Sequence, residues 1–175
     1  MKLLPLTLLL LTPYATAQEV LDVCIDYNCD KRATVELQTD EWRVILQPFD
    51  PAATNAQQER QQIRESIALF EQVVGKHTPN HKDQAKNQGE DEIGQLDCIA
   101  ESTNAQHYLQ WLARKEKLKW HQVDERVKRS PFIFDVHWGV KITEQATQNE
   151  YIVDSWYGAN GDMPDIEPLS QWLKQ

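Results

Sequence analysis

Apolar residues recur every three to four positions in the first half of the chain, which is the spacing of amphipathic helices. The positions that predict a buried helix face are Trp42, Ile45, Leu46 and Phe49 in one stretch and Ile63, Ile67, Phe70 and Val74 in the next. Thr39 can cap the first helix, and Pro48 is expected to stop it. Thr54 and Gln57 form a capping box before the second helix, and Gly75 is expected to end it.

The pattern changes from helix to strand in the second half of the chain. A third helix is predicted from Cys98 to about Lys115, with Asp97 as its cap. Strand-like segments follow at 118–123, 132–142 and 151–157, and a short helix is predicted at 169–173. A short strand is also predicted at 34–37, and the polar segment 76–94 is expected to be an exposed loop. Helices followed by a run of antiparallel strands predict an α+β fold.

The first 17 residues are predicted to be a signal peptide. Lys2 supplies the positive start, residues 3–11 form a short apolar run, and Ala15-Thr16-Ala17 is a small-residue cleavage site. The run is too short to cross a bilayer as a permanent helix, so no stable membrane insertion is expected. A buried or amphipathic N-terminal helix is the alternative. We expect residues 18–175 to form one exported domain, either periplasmic or secreted.

The charge balance excludes some classes of partner. The chain has 18 Lys and Arg against 27 Asp and Glu, which gives a net charge of −9. Such a surface repels phosphate, and no basic patch offsets it, so no nucleic-acid partner is expected. An anionic membrane surface is disfavoured for the same reason.

Export makes the three cysteines informative. In an oxidising compartment the close pair Cys24 and Cys29 is expected to form a disulfide, whereas a zinc site would need a second pair of ligands. Cys98 is then left over. A single cysteine in an exported protein forms an intermolecular bridge, an inert buried thiol or a reactive thiol.

A second observation favours the reactive thiol. In the predicted strand 132–142, His137 lies on the face that the apolar residues leave free. If the following hairpin is centred on the polar turn 143–148, His137 lies directly opposite Asp154, within hydrogen-bonding range. Cys98 opens a helix, where free backbone N–H groups and the helix dipole favour a thiolate. Together the three residues have the composition of a nucleophile, base and orienting carboxylate.

These segments also resemble a known superfamily. Gly94-Gln-Leu-Asp-Cys98-Ile-Ala-Glu-Ser-Thr-Asn104, His137-Trp138 and Val153-Asp154-Ser155-Trp156 are similar to the Cys, His and Asp blocks of transglutaminase-like cysteine proteinases. They look closest to a set of small exported bacterial proteins of uncharacterised function. The resemblance covers residues 94–156, but the aromatic-rich segment that would flank the cysteine is missing. It implies a transglutaminase-like or papain-like architecture, with Cys98 as nucleophile, His137 as base and Asp154 as orienting group.

Two classes of function follow. The first is an exported thiol-dependent acyl-transfer enzyme acting on amide bonds of a peptide or protein: a cysteine peptidase, an amidase or a transglutaminase-type transferase. The oxyanion would be held by the Cys98 backbone N–H, with Gln95 or Gln88 as candidate second donors. Trp138 and Trp156 are expected to wall the substrate cleft. The second class is a non-enzymatic peptide-binding or cell-wall-binding module in which Cys98 is a buried structural thiol.

Other motifs are interpreted as structural. His77 and His81 have the spacing of helical metal ligands, but Pro79 between them breaks such a helix. The run 90–92 is acidic but lacks the alternating oxygen ligands of a calcium loop. His107 and His121 are expected at the surface. The chain also has no Gly-rich phosphate loop, so neither a cofactor nor a metal is expected.

Overall fold

Helices and antiparallel strands together form the fold, which confirms the predicted α+β class. The computed structural model describes residues 19–87, 92–130 and 136–175. Its elements are β1 (Val20–Cys24), β2 (Arg32–Glu36), α1 (Thr39–Leu46), α2 (Ala56–His77), α3 (Cys98–Arg114), β3 (His121–Arg129), β4 (His137–Glu144), β5 (Glu150–Asp154), β6 (Asp165–Pro168) and α4 (Leu169–Trp172). Short 3-10 turns lie at Tyr27–Cys29, Gln47–Phe49 and Pro79–Lys82. Within the described ranges, no helix is both long and apolar enough to span a membrane.

Two sheets carry the strands. β1 and β2 form an antiparallel pair, and β3, β4, β5 and β6 form an antiparallel sheet in chain order. Because β4 and β5 run in opposite directions, the start of β4 and the end of β5 lie at the same end of the sheet. His137 is the first residue of β4 and Asp154 is the last of β5. The topology alone therefore brings these two residues near each other.

The predicted register of this hairpin is wrong by two residues. Val140 pairs with Val153, so the register extends to Gly139 opposite Asp154 and does not place His137 there. The turn is centred one residue later than predicted, because Gln148 takes a left-handed conformation (φ 60°) and β5 starts only at Glu150. Side chains alternate between faces with a period of two, so a slip of two residues keeps His137 and Asp154 on the same face.

The core lies between the two long helices and the four-stranded sheet. The side chains that form it are Ile63, Ile67, Phe70 and Val74 from α2, Ala105, Leu109 and Leu112 from α3, and Val140, Ile142 and Val153 from the sheet. Each large apolar side chain buried in this way stabilises the fold by about 1.5–3 kcal/mol. The apolar positions predicted for α2 are thus confirmed as its buried face. The core fixes α3 against the sheet, and with it the position of Cys98.

The helix ends agree only in part with the predictions. Asp97 caps α3 as predicted, and its side chain accepts a hydrogen bond from the Ala100 N–H at 2.8 Å. The cap of α2 is Asn55 and not Thr54, and the cap of α1 is Gln38 and not Thr39. The prediction that Gly75 ends α2 is wrong, because the helix continues to His77. Gly75 packs closely against its neighbours, since a Cβ there would lie 3.0 Å from the Asn160 side chain.

The prediction of an exposed loop over 76–94 is only partly right for the residues described. Most of these residues are exposed, but residues 76 and 77 still belong to α2 and several polar side chains are buried. Thr78, Asn80 and Asp83 are buried, and the Asn80 side chain donates to the Cys24 carbonyl at 2.9 Å. Gly94 has a φ of +96°, and a side chain there would collide with the Pro79 carbonyl. The polar composition misled because these side chains bond to backbone groups of the fold: Thr78 donates to the Val74 carbonyl at 3.0 Å, and Asp83 accepts from the Leu96 N–H at 2.6 Å. Residues 88–91 lie outside the described residues.

Strand boundaries show the largest differences from the sequence predictions. β1 and β6 were not predicted, and β3 begins at His121 and runs on to Arg129. Charged side chains dominate β3, so its sequence lacks the apolar alternation of a half-buried strand. Residues 131–135, at the start of the predicted strand 132–142, lie outside the described residues, as do residues 1–17 of the predicted signal peptide.

Three buried carboxyl groups join α2, α3 and the segment between them. Glu71 accepts a hydrogen bond from the Gly161 N–H at 2.9 Å, Asp83 accepts one from the Leu96 N–H at 2.6 Å, and the Asp83 and Glu101 side chains hydrogen-bond to each other. Burial raises the pKa of Glu71 to about 8 and that of Asp83 to about 6, and it holds the pKa of Glu101 well above its usual range. These acids therefore retain protons at pH values where exposed carboxyls are ionised.

This cluster predicts that stability falls as the pH rises. The pKa of Glu71 is about 8 in the fold against an ordinary value of 4.5, so the folded state binds more protons between these values and loses stability through pH 8. Glu71→Gln should remove that contribution and flatten the dependence of the unfolding free energy on pH, as measured by urea denaturation from pH 5 to 9. Glu36→Gln, at an exposed position, is the control. Parallel curves for Glu71→Gln and the wild type would contradict the prediction.

Candidate active site

Cys98 lies at the start of α3, as the sequence predicts. It is the first residue of the helix, its thiol is free, and the residue is half-exposed. Its Sγ lies 3.8 Å from the carbonyl oxygen of Val136, the residue before β4. The first backbone N–H groups of a helix have no partner within the helix, so this position offers hydrogen-bond donors and a positive dipole end beside the sulfur.

His137 lies between Cys98 and Asp154. Its side chain is nearly buried, and its Nε2 lies 2.6 Å from Oδ2 of Asp154. Burial lowers the pKa of His137, but hydrogen bonds to Asp154 and Cys98 and the charges of both residues outweigh burial and raise this pKa to about 9. Because Nε2 of His137 is hydrogen-bonded to Asp154, Nδ1 is the ring nitrogen that can interact with the Cys98 sulfur. With this pKa, the His137 ring is an imidazolium at neutral pH.

Asp154 is held by a second donor that the sequence predictions did not single out. The Trp172 Nε1–H donates to the same Oδ2 at 2.8 Å, while Oδ1 has no partner among the described residues. Trp172 is fully buried in α4, and this short helix packs on β5. A buried indole needs an acceptor for its N–H, and that requirement was the only signal in the sequence. Trp172 thus holds the Asp154 carboxylate in place, and this carboxylate in turn orients the His137 ring.

Aromatic rings surround the imidazole. The ring centroid of His137 lies 4.8 Å from that of Trp156, 5.5 Å from that of Tyr157 and 5.7 Å from that of Trp172. The Trp156 indole N–H donates to the Asn87 carbonyl at 3.2 Å, which ties the 82–87 segment to the site. Rings exclude water from one side of the imidazole, and a lower local dielectric strengthens its interaction with Asp154.

The two predicted cleft tryptophans occupy different places. Trp156 lies beside His137, as described above. Trp138 follows His137 in β4, so its side chain projects from the opposite face of the strand. It is half-buried under Arg126, whose guanidinium carbon lies 5.2 Å from the Trp138 ring centroid. Arg126 also contacts the first turns of α3. This arginine therefore links Trp138 to the side of the site that carries Cys98.

Gln95 has a structural role in this geometry. Its side-chain nitrogen donates to the Lys82 carbonyl at 2.6 Å. Its side-chain oxygen accepts from the Gln84 N–H at 3.3 Å and from the Asn87 side chain. The carboxamide is therefore committed to the 82–87 segment, and its predicted role as an oxyanion donor has no support here. Gln88, the other candidate, lies outside the described residues.

The predicted disulfide between Cys24 and Cys29 is present and braces the start of α3. The Asn28 N–H, inside the disulfide loop, donates to Asp97 Oδ1 at 3.2 Å, and the same oxygen caps α3. Cys24 and Cys29 also pack against Leu96 and Ala100, on either side of Cys98 in sequence. The disulfide loop therefore helps to set the position of the candidate nucleophile.

The remaining histidines have structural partners. His77 lies 2.6 Å from a Glu41 oxygen, and Nδ1 of His107 lies 2.9 Å from the Asp22 carbonyl oxygen. The prediction that His121 is a surface residue is wrong. His121 is buried and its Nδ1 lies 2.9 Å from Glu59, a buried carboxylate that also accepts backbone N–H groups at the start of β3. Within the described part of the chain, no group of three or more His, Cys, Asp or Glu residues is arranged to hold a metal ion.

Comparisons with known proteins leave the class of the protein open. No protein-family profile matches the chain, and neither the curated proteins nor the solved structures contain a match. The resemblance to transglutaminase-like cysteine proteinases therefore stays a prediction. Any function has to be argued from the geometry of Cys98, His137 and Asp154.

Because the disulfide loop supports the start of α3, we expect removal of the disulfide to have a localised effect. Replacing Cys24 and Cys29 with serine should lower the unfolding free energy by about 2 kcal/mol. Hydrogen exchange should also speed up at the Ala100 N–H more than at the other end of α3, because the loop supports the Asp97 cap. Mass spectrometry of exchange in the wild type and the double variant measures this difference. A uniform increase along α3 would show that the loop does not hold the helix start.

Proposed function

We propose that this protein is an exported, thiol-dependent acyl-transfer enzyme that acts on amide bonds of a peptide or protein. Cys98 is the nucleophile, His137 the acid and base, and Asp154 the group that orients the imidazole. The observation that carries the proposal is the position of His137, hydrogen-bonded to Asp154 at 2.6 Å and near enough to Cys98, at the start of a helix, for the cysteine to raise the pKa of His137. This is the arrangement that nucleophilic catalysis by cysteine requires.

The charge of His137 supports attack by a thiolate. With its pKa raised to about 9, His137 is an imidazolium at neutral pH, and this charge favours negative charge on the sulfur. The thiolate attacks the amide carbonyl carbon, the imidazolium gives its proton to the leaving amine, and the C–N bond breaks to leave a thioester. Water or an amine then loses a proton to neutral His137 and attacks the thioester. The thiolate departs and the imidazolium is restored.

The oxyanion of each tetrahedral intermediate lies near the start of α3. The backbone N–H of Cys98 belongs to the first turn of the helix, where it has no intrahelical acceptor. A donor fixed by a helix, with the dipole behind it, is suited to stabilise negative charge that develops on the substrate oxygen.

The exposure of Cys98 supports this class over a module with a buried structural thiol. Cys98 is only half-buried, and Val136 beside it is 47% exposed, so a ligand can reach the sulfur. The disulfide fits an oxidising compartment, which both classes share. The order of a helix-borne cysteine, then histidine and aspartate on adjacent antiparallel strands, supports a transglutaminase-like architecture for residues 18–175.

Acylation of Cys98 tests the proposal without knowledge of the natural substrate. Incubation with 4-nitrophenyl acetate at pH 7 should place one acetyl group on Cys98, detected by intact mass and peptide mapping. His137→Ala should slow this acetylation by about 100-fold or more, since acid–base groups contribute at least that much. His107→Ala, at a half-exposed histidine on α3, should leave the rate unchanged.

The fate of the acetyl group separates the two kinds of enzyme. Release by water alone indicates a hydrolase, whereas transfer to an added primary amine, recovered as its acetamide, indicates a transferase. Acetylation spread over lysines, or an unchanged rate in His137→Ala, would contradict the proposed function.

A further inference from the structure

Arg126 is held rigidly beside the candidate nucleophile. Its Nη1 donates to the Ile99 carbonyl at 3.0 Å, to Ser102 Oγ at 3.3 Å and to Thr103 Oγ1 at 2.6 Å. Ile99 follows Cys98 directly, so the guanidinium is anchored one residue from the sulfur-bearing position. Three acceptors on one nitrogen, together with the Trp138 ring against the guanidinium, leave the group little freedom to move.

The other donors of this guanidinium are not used by the chain. Within the described residues, Nε and Nη2 of Arg126 make no hydrogen bond and Arg126 forms no ion pair with a carboxylate. Asp97 is near enough for its charge to act on Arg126, but its Oδ1 is committed to the N–H groups of Ala100 and Asn28. Burial and the charge of Arg32 lower the pKa of Arg126, and the charges of Asp97 and Cys98 oppose this change.

The free donors of Arg126 suit a carboxylate ligand. Arg32, whose charge acts on Arg126, is paired with Asp22 at 2.9 Å, whereas Arg126 has no carboxylate partner among the described residues. The planar guanidinium matches a carboxylate with two parallel hydrogen bonds, and the free Nε and Nη2 are the pair of donors that this contact uses.

We propose that Arg126 is a specificity-determining residue that binds a carboxylate of the acyl substrate next to the amide bond attacked by Cys98. The favoured substrates are then acidic peptides, recognised through an Asp or Glu side chain or through a terminal carboxylate. This inference rests on the proposed function, because it assumes that a substrate reaches Cys98. It assigns to Arg126 a binding role beside the thiol and no part in the chemical step.

Two alkylating agents of nearly equal size test this subsite. Iodoacetate carries a carboxylate and iodoacetamide is neutral, so the ratio of their rates with Cys98 at pH 7 reports on positive charge beside the sulfur. The imidazolium of His137 contributes to the ratio in every variant that keeps His137. The change in the ratio when Arg126 is replaced therefore reports the contribution of Arg126. Arg126→Gln should lower the ratio by about 3- to 10-fold, as expected for loss of one nearby charge in a partly hydrated cleft.

The control variants separate charge from structure. Arg43→Gln removes the same charge at an exposed position on α1 and should leave the ratio unchanged. Arg126→Lys keeps the charge but loses the planar fork, so its ratio should fall by about twofold or more, though less than in Arg126→Gln. This variant also provides the test if Arg126→Gln does not fold, since a wild-type ratio in a folded Arg126→Lys would overturn the proposal. The neutral reagent should label Cys98 at a similar rate in all folded variants.

The failures of the two proposals are distinguishable. If Arg126→Gln labels normally with iodoacetamide and keeps the wild-type ratio, the carboxylate subsite is wrong and the proposed function stands. If iodoacetamide labels wild-type Cys98 only after unfolding, the proposed function fails and the subsite fails with it. If the ratio falls as expected, protection of Cys98 by N-acetylglutamine or by N-acetylisoglutamine then shows whether the terminal or the side-chain carboxylate is bound better.

Discussion

His137 and Asp154 form a charged hydrogen bond of 2.6 Å in a place where their side chains are only 5% and 2% exposed. A buried ion costs free energy unless other groups compensate it, so each partner needs the other. The Asp154 carboxylate accepts a second hydrogen bond, from Trp172, and Cys98 helps to raise the pKa of the His137 imidazole. Without these partners, burial would lower the pKa of His137 and the imidazole would be neutral at pH 7.

The rest of the fold brings the three side chains to one point. β4 and β5 run antiparallel and place His137 and Asp154 at the same end of the sheet, while the core between α3 and the sheet fixes Cys98 there. The disulfide loop steadies the first turn of α3 through Asp97. Glu71 of α2 and Glu101 of α3 hold protons at neutral pH because burial raises the pKa of both groups, and so they add little negative charge behind the helix start.

The sequence predicted the residues of the site better than their surroundings, for identifiable reasons. His137 and Asp154 were placed on one face because faces alternate with a period of two, and that parity survived a register error of two residues. Asp97 was found as a cap because the capping contact is local. Gln95, Trp172 and Arg126 depend on contacts between residues far apart in the chain, for which spacing carries no information. Gly75 was misjudged as the end of a helix, and Thr78, Asn80 and Asp83 as exposed, because tertiary packing overrode local propensity.

The charge of His137 is the central claim, and nuclear magnetic resonance measures it directly. The protein has five histidines, so isotope labelling of histidine gives few signals, and a His137→Gln variant assigns the one of interest. Titration of the folded protein should give His137 a pKa of about 9, with the Nε2 proton shifted by a short hydrogen bond to Asp154. In Asp154→Asn the pKa of His137 should fall, because the carboxylate charge is gone. A wild-type pKa of His137 near its ordinary value of 6.5, unchanged in Asp154→Asn, would contradict the charged pair and the nucleophile built on it.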